Sequence, residues 1–115
     1  MSFNELKLSQ PLLRAVETSG FKVPTEIQRR AIPVILSGRD LMASAQTGTG
    51  KTAAFILPIL EQLTTRPARR GRGPRVLILT PTRELAAQVT DDIRKLSRFC
   101  RCTFGTVVGG LAYAP

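Results

Sequence analysis

Two periodicities alternate along this chain. After Ser9, apolar residues fall at Leu12, Leu13 and Val16, a helical spacing, with Pro11 in the first turn and Gly20 just past the end. A second helical stretch starts at Thr25, with Ile27, Ala31, Val34 and Ile35 on one side and Pro33 expected to break or kink it. Ser37-Gly38-Arg39-Asp40 reads as a turn. The pattern then shortens. Leu41 to Ala45 is a short apolar run that suits a strand, and Ala53 to about Leu63 is helical, with a kink expected at Pro58. Val76-Leu77-Ile78-Leu79 is continuously apolar, as in a strand buried on both faces. Leu85, Val89, Ile93 and Leu96 form one stripe of a helix starting near Arg83, and a third strand is expected around Thr103 to Val108.

The order is helices, then β-α-β-α-β. It predicts an α/β fold: an open parallel sheet of about three strands, flanked by helices, with right-handed crossovers, preceded by N-terminal helices. Residues 1–38 would be the helical region and 39–115 the sheet-bearing part, with no internal repeat and no second domain. So small a sheet leaves an edge open, so marginal stability or association is expected. In such sheets ligands bind beyond the carboxyl ends of the strands. The loops there are residues 46–50, Pro81-Thr82-Arg83-Glu84 and Gly109-Gly110.

The first of these loops carries chemistry. Gly48-Thr49-Gly50-Lys51-Thr52 sits between a predicted strand and a predicted helix. Glycines let several N–H groups converge on one anion. Lys51 can reach the β- and γ-phosphates, and the Thr52 hydroxyl suits Mg²⁺. The helix that follows turns its positive end toward the same place. This is a phosphate-binding P-loop, although Ala45 stands where the strict pattern has glycine; the plain alternative is a glycine-rich turn beside an exposed lysine.

Composition narrows the partners. Hydrophobic residues make up 43% and charged residues 22%, ordinary for a soluble globular protein. The longest apolar run, Ala53 to Leu60, is far too short to span a membrane, so no membrane partner is expected. No secretory signal is visible at Met1 to Lys7, so a cytoplasmic location is expected. Net charge is +9, and Arg66, Arg69, Arg70, Arg72 and Arg75 supply five of it. That balance favours a polyanion, or else a solvated basic loop. Cys100-x-Cys102 has no histidine and no third cysteine to complete a zinc site; the pair reads as strand residues in a reducing compartment.

Three segments together resemble the DEAD-box RNA helicases. Gly20-Phe21-Lys22-Val23-Pro24-Thr25-Glu26-Ile27-Gln28, with Phe3 upstream, is similar to that family's Q motif. Ala43 to Thr52 is similar to its form of Walker A, which accepts Ala45. Pro81-Thr82-Arg83-Glu84-Leu85-Ala86-Ala87-Gln88 is similar to motif Ia, and Gly109-Gly110 to the GG motif after it. The resemblance covers essentially the whole chain, with wording similar to the bacterial RhlE-like group. It implies a P-loop, RecA-like fold and an ATP-dependent RNA helicase. It further implies ATP and Mg²⁺ as cofactors and RNA as partner. Nucleotide contacts are implied at Phe3, Phe21, Lys22, Thr25, Gln28, Ala45, Gln46, Thr47, Gly48, Thr49, Gly50, Lys51 and Thr52. Lys51 and Thr52 would act in catalysis, Thr52 on the magnesium. RNA-backbone contacts are implied at Pro81, Thr82, Arg83, Gly109 and Gly110.

The residues leave alternatives beside this resemblance. The Gln28 amide can donate to and accept from one adenine edge at once, and an aromatic at Phe21 or Phe3 can pack on the base. Thr25-x-x-Gln28 is equally a capping box, and the two roles are compatible. Thr82 and Arg83 suit a backbone phosphate, or simply cap a helix with Glu84. The rival functions are a P-loop NTPase without RNA chemistry and a nucleotide- or RNA-binding module without ATPase activity.

Hydrolysis needs a Walker B acid at a strand end to hold Mg²⁺. The eight acids are Glu5, Glu17, Glu26, Asp40, Glu61, Glu84, Asp91 and Asp92, and none follows an apolar strand in that way. The Asp-Glu-Ala-Asp and Ser-Ala-Thr motifs are absent from these 115 residues. The sequence is therefore expected to be the N-terminal part of a helicase, lacking the second RecA-like domain, and to bind nucleotide without hydrolysing it.

Overall fold

The computed structural model describes residues 2–45, 50–66 and 73–107. Its elements are a 3₁₀ turn at Phe3–Leu6 and four α-helices: α1 (Gln10–Thr18), α2 (Glu26–Leu36), α3 (Lys51–Thr65) and α4 (Arg83–Leu96). Among the described residues no helix is long and apolar enough to cross a membrane.

α3 is the axis of the core. Ala53, Ala54, Ile56, Leu57, Pro58 and Leu60 are buried on several of its sides, as expected of a helix with neighbours all round. It packs most extensively on α2, then on α4 and α1. Leu12 and Val16 of α1, Ile32 of α2, and Val89 and Leu96 of α4 close around it, with Phe3, Leu6 and Leu8 completing the cluster. Leu85, read as part of the buried stripe of α4, is instead exposed.

Local chemistry ends the helices as the residues predict. α1 closes in a Schellman turn: Gly20 N–H donates to Glu17 O at 3.1 Å and Phe21 N–H to Val16 O at 3.1 Å. Gly20 sits at φ +86°, a conformation that costs other residues about 1–2 kcal/mol. α2 ends in the same bond pair, Gly38 N–H to Ile35 O and Arg39 N–H to Val34 O. Neither Pro33 nor Pro58 ends its helix. Each forfeits one backbone bond, but tertiary packing against the neighbouring helix holds the turn.

Two side chains of α3 bind the earlier helices. Ser9 N–H donates to Glu61 Oε1 at 2.7 Å, and Gln62 Nε2 donates to Ile35 O at 3.1 Å. The Ser9 side chain caps nothing; its Oγ is buried without a hydrogen-bond partner among the described residues.

The three expected strands are not formed: residues 41–45, 76–79 and 103–107 carry no β-ladder among the described residues, and Val108 lies outside them. Parallel strands need partners along their edges and layers on both faces. Here the cover is one-sided. Ile78 and Cys102 pack against the core, whereas Leu77 is 80%, Leu79 84% and Met42 99% exposed. A 2.7 Å Thr90–Thr106 hydroxyl bond fastens the last segment to α4. Both cysteines are free, and burial pushes the Cys100 thiol up.

Candidate nucleotide site

Thr25 and Gln28 build the start of α2. Gln28 N–H donates to Thr25 Oγ1 at 3.4 Å, and Thr25 N–H donates to Gln28 Oε1 at 3.0 Å, a reciprocal capping box. The same amide does a second job. Its Nε2 donates to Gly50 O at 3.1 Å, a carbonyl that also accepts the Ala54 N–H of α3 at 3.1 Å. Gln28 is 2% exposed and thus joins the first turn of α2 to the first turn of α3. An amide has two hydrogens and two acceptor lone pairs, so one of each stays uncommitted.

Gly50 is the N-cap of α3, at φ +78°. A side chain there would be strained by the backbone and would collide with the Gln28 amide. Lys51, exposed in the first turn, donates to Ala45 O at 3.4 Å, which brings the two ends of the loop together. Thr52 follows it, half-buried. Glycine offers α3 no side-chain cap, so the first-turn N–H groups and the Lys51 ammonium provide the donor set a polyphosphate requires. Gln46, Thr47, Gly48 and Thr49 lie outside the described residues.

The aromatic residues meet as well. The Phe3 and Phe21 rings stack with centroids 6.3 Å apart and planes 21° from parallel. Phe3 is buried and Phe21 exposed, with exposed Lys22 beside it. A cavity of about 660 Å³ opens next to this pair, lined by Phe3, Arg14, Glu17, Phe21, Lys22 and Phe99 among others. Thr25, Gln28, Gly50 and Lys51 do not line it, so it is separate from the Gln28–Gly50 junction. The Arg14 guanidinium lies 4.1 Å from the Phe99 ring centroid.

The second set of residues is simpler. Pro81, Thr82 and Arg83 are exposed at the start of α4, and Thr82 Oγ1 accepts from Leu85 N–H at 3.1 Å. The cap reading of Thr82 therefore holds, and it leaves the Arg83 side chain outward. Gly109 and Gly110 lie outside the described residues, as do Arg69, Arg70 and Arg72 of the basic stretch; Arg66 and Arg75 are exposed. Sequence reasoning missed Glu61 and Gln62. Their signal is a pair of polar residues that interrupts the apolar run of α3 directly after Leu60.

The family model for the DEAD/DEAH box helicases matches residues 25–114. The chain is 59% identical over 96% of its length to DEAD-box ATP-dependent RNA helicase 28 of Arabidopsis thaliana, and spans 14% of that relative. It is 51% identical over 97% of its length to ATP-dependent RNA helicase SrmB of Escherichia coli, and spans 25% of it. Identity to the probable human helicase DDX27 is 53%, so these relatives fix a family rather than a bacterial subgroup. In structure, it aligns with the RNA helicase Prp28 from Chaetomium thermophilum bound to ADP, with TM-score 0.86 and 42% identity over 96% of this chain and 27% of that one. A DEAD box protein from Methanococcus jannaschii aligns with TM-score 0.82 at 42% identity, over 97% of this chain and 30% of that one. The described helices thus follow the RecA-like fold of these helicases, and the chain belongs to the DEAD/DEAH box helicase family.

Proposed function

We propose that this chain is the ATP- and RNA-binding front of a DEAD-box ATP-dependent RNA helicase. The observation that carries the reading is the Gln28 amide, held at once in the capping box and on the carbonyl of Gly50. It ties the group that would read a base to the loop that would hold its phosphates. The residues fit a magnesium nucleotide: Lys51 and the first-turn N–H groups of α3 for the phosphates, and the Thr52 hydroxyl for the metal. Bound ATP would supply the phosphoryl chemistry; the residues here grip, orient and select.

Adenine selection would fall to Gln28, whose uncommitted Nε2 hydrogen and Oε1 lone pair match the N7 acceptor and N6 donor of adenine. At 2% exposure the amide is covered, so base reading requires that cover to part. Phe21 offers the exposed aromatic face and Phe3 supports it from behind the stack. Arg83 and the exposed start of α4 would take an RNA phosphate. In the parent helicase, ATP binding and hydrolysis would be coupled to local unwinding or remodelling of RNA.

These 115 residues contain no acid placed as a Walker B group, so binding without turnover is expected of them. The test is ATP binding and steady-state phosphate release, each compared with Lys51→Ala. The reading predicts ATP affinity at least tenfold above that of the variant, and phosphate release indistinguishable from it. ATP affinity unchanged by Lys51→Ala would overturn the assignment of the loop.

A further inference from the structure

We infer that Glu61 and Gln62 are positioning residues for base selection, acting as a clasp that holds both base-reading helices against the phosphate-loop helix. The inference deepens the nucleotide reading above and rests on it.

The geometry is a lever arm. α3 begins at Lys51, beside the phosphate loop, and Glu61 lies ten residues along it, about 15 Å at helical rise. Successive residues of a helix point about 100° apart, so adjacent side chains reach different neighbours. Glu61 accepts the Ser9 N–H at 2.7 Å, immediately before α1. Gln62 donates to the Ile35 carbonyl at 3.1 Å, in the last turn of α2.

Each of those helices adjoins or carries a group proposed to read the base. α1 runs between Phe3, on the turn before it, and Phe21, set by the Schellman turn after it. Anchoring the start of α1 therefore anchors the stacked pair relative to α3. α2 starts with Gln28 on Gly50 and ends with Ile35 on Gln62, so it is pinned to α3 at both ends. Ser9 takes part in the anchor through its backbone: its N–H goes to the carboxylate of Glu61, while its Oγ is buried without a partner among the described residues. Glu61 and Gln62 lie about 15 Å or more along α3 from Lys51, too far to touch a phosphate held there.

A clasp and a generic stabilising contact differ in one readout. A generic contact changes affinity for every nucleotide alike, whereas a clasp changes the preference for adenine. The test uses the 115-residue chain and titrates ADP, GDP and inorganic pyrophosphate into the wild type, Glu61→Ala, Glu61→Gln and Gln62→Ala, with helical content checked by circular dichroism. Loss of one hydrogen bond in each pair is expected to cut the ADP-over-GDP ratio about threefold to tenfold, with pyrophosphate affinity within about twofold of wild type. Glu61→Gln keeps an oxygen acceptor for Ser9 N–H and is expected to restore the ratio. If Glu61→Ala does not fold, Gln62→Ala carries the same comparison through the other helix. An unchanged ADP-over-GDP ratio in a folded variant overturns the clasp, as does a proportional loss of all three ligands. No ADP preference in the wild type overturns the adenine reading first, and the clasp with it.

Discussion

Gly50 shows how one position can serve backbone, packing and ligand together. Its φ of +78° sets the bend from loop to helix, its carbonyl receives both the Gln28 amide and the Ala54 N–H, and the space for a side chain is occupied by Gln28. Gly50→Ala should therefore lower Tm by about 4–8 °C, from the left-handed backbone alone at about 1–2 kcal/mol. Thermal unfolding followed by circular dichroism checks this; an unchanged Tm would mean that the loop does not hold this geometry. Thr25-x-x-Gln28 was legible in the sequence as a capping box because a cap is a local device, three residues long. The Gln28–Gly50 bond was not, because it joins residues 22 positions apart and depends on how α2 lies on α3.

At the level of elements, the helices follow from residues that sit next to one another. The Leu12–Leu13–Val16 face, the Thr82 cap and the glycines after α1 and α2 each lie within a turn of what they control. Pro33 and Pro58 sit inside continuous helices because packing outweighs one missing backbone bond. The described residues form no strand for the opposite reason: a ladder is made by distant partners, and an apolar run declares only that it wants cover. Residues 77–79 have cover on one side only, with Ile78 inward and Leu77 and Leu79 outward. The double variant Leu77→Lys with Leu79→Lys should keep its helical circular dichroism and sediment with less self-association than wild type. Loss of helix on this substitution would show that the outward positions are buried after all.

At the scale of the whole molecule, the fold is a RecA-like layer in which α3 connects every part of the candidate site. Its first turn presents Lys51 and Thr52, its middle packs on α2 and α4, and Glu61 and Gln62 hold α1 and α2. The exposed start of α4, with Arg83, belongs to the same assembly and offers the surface proposed for RNA. The chain spans 14–25% of the lengths of the Arabidopsis and Escherichia coli helicases to which it is similar. Nucleotide selection is accordingly the function proposed for these residues.

Calorimetric titration of ADP and GDP into wild type and Gln28→Glu measures that selection. Glutamate keeps an acceptor for Thr25 N–H but loses the Nε2 donor that serves Gly50 and would serve adenine N7. Wild type is expected to bind ADP at least tenfold more tightly than GDP, and Gln28→Glu, still folded, to lose most of this preference. Equal affinity for ADP and GDP in wild type, or an undiminished preference in the folded variant, would contradict it.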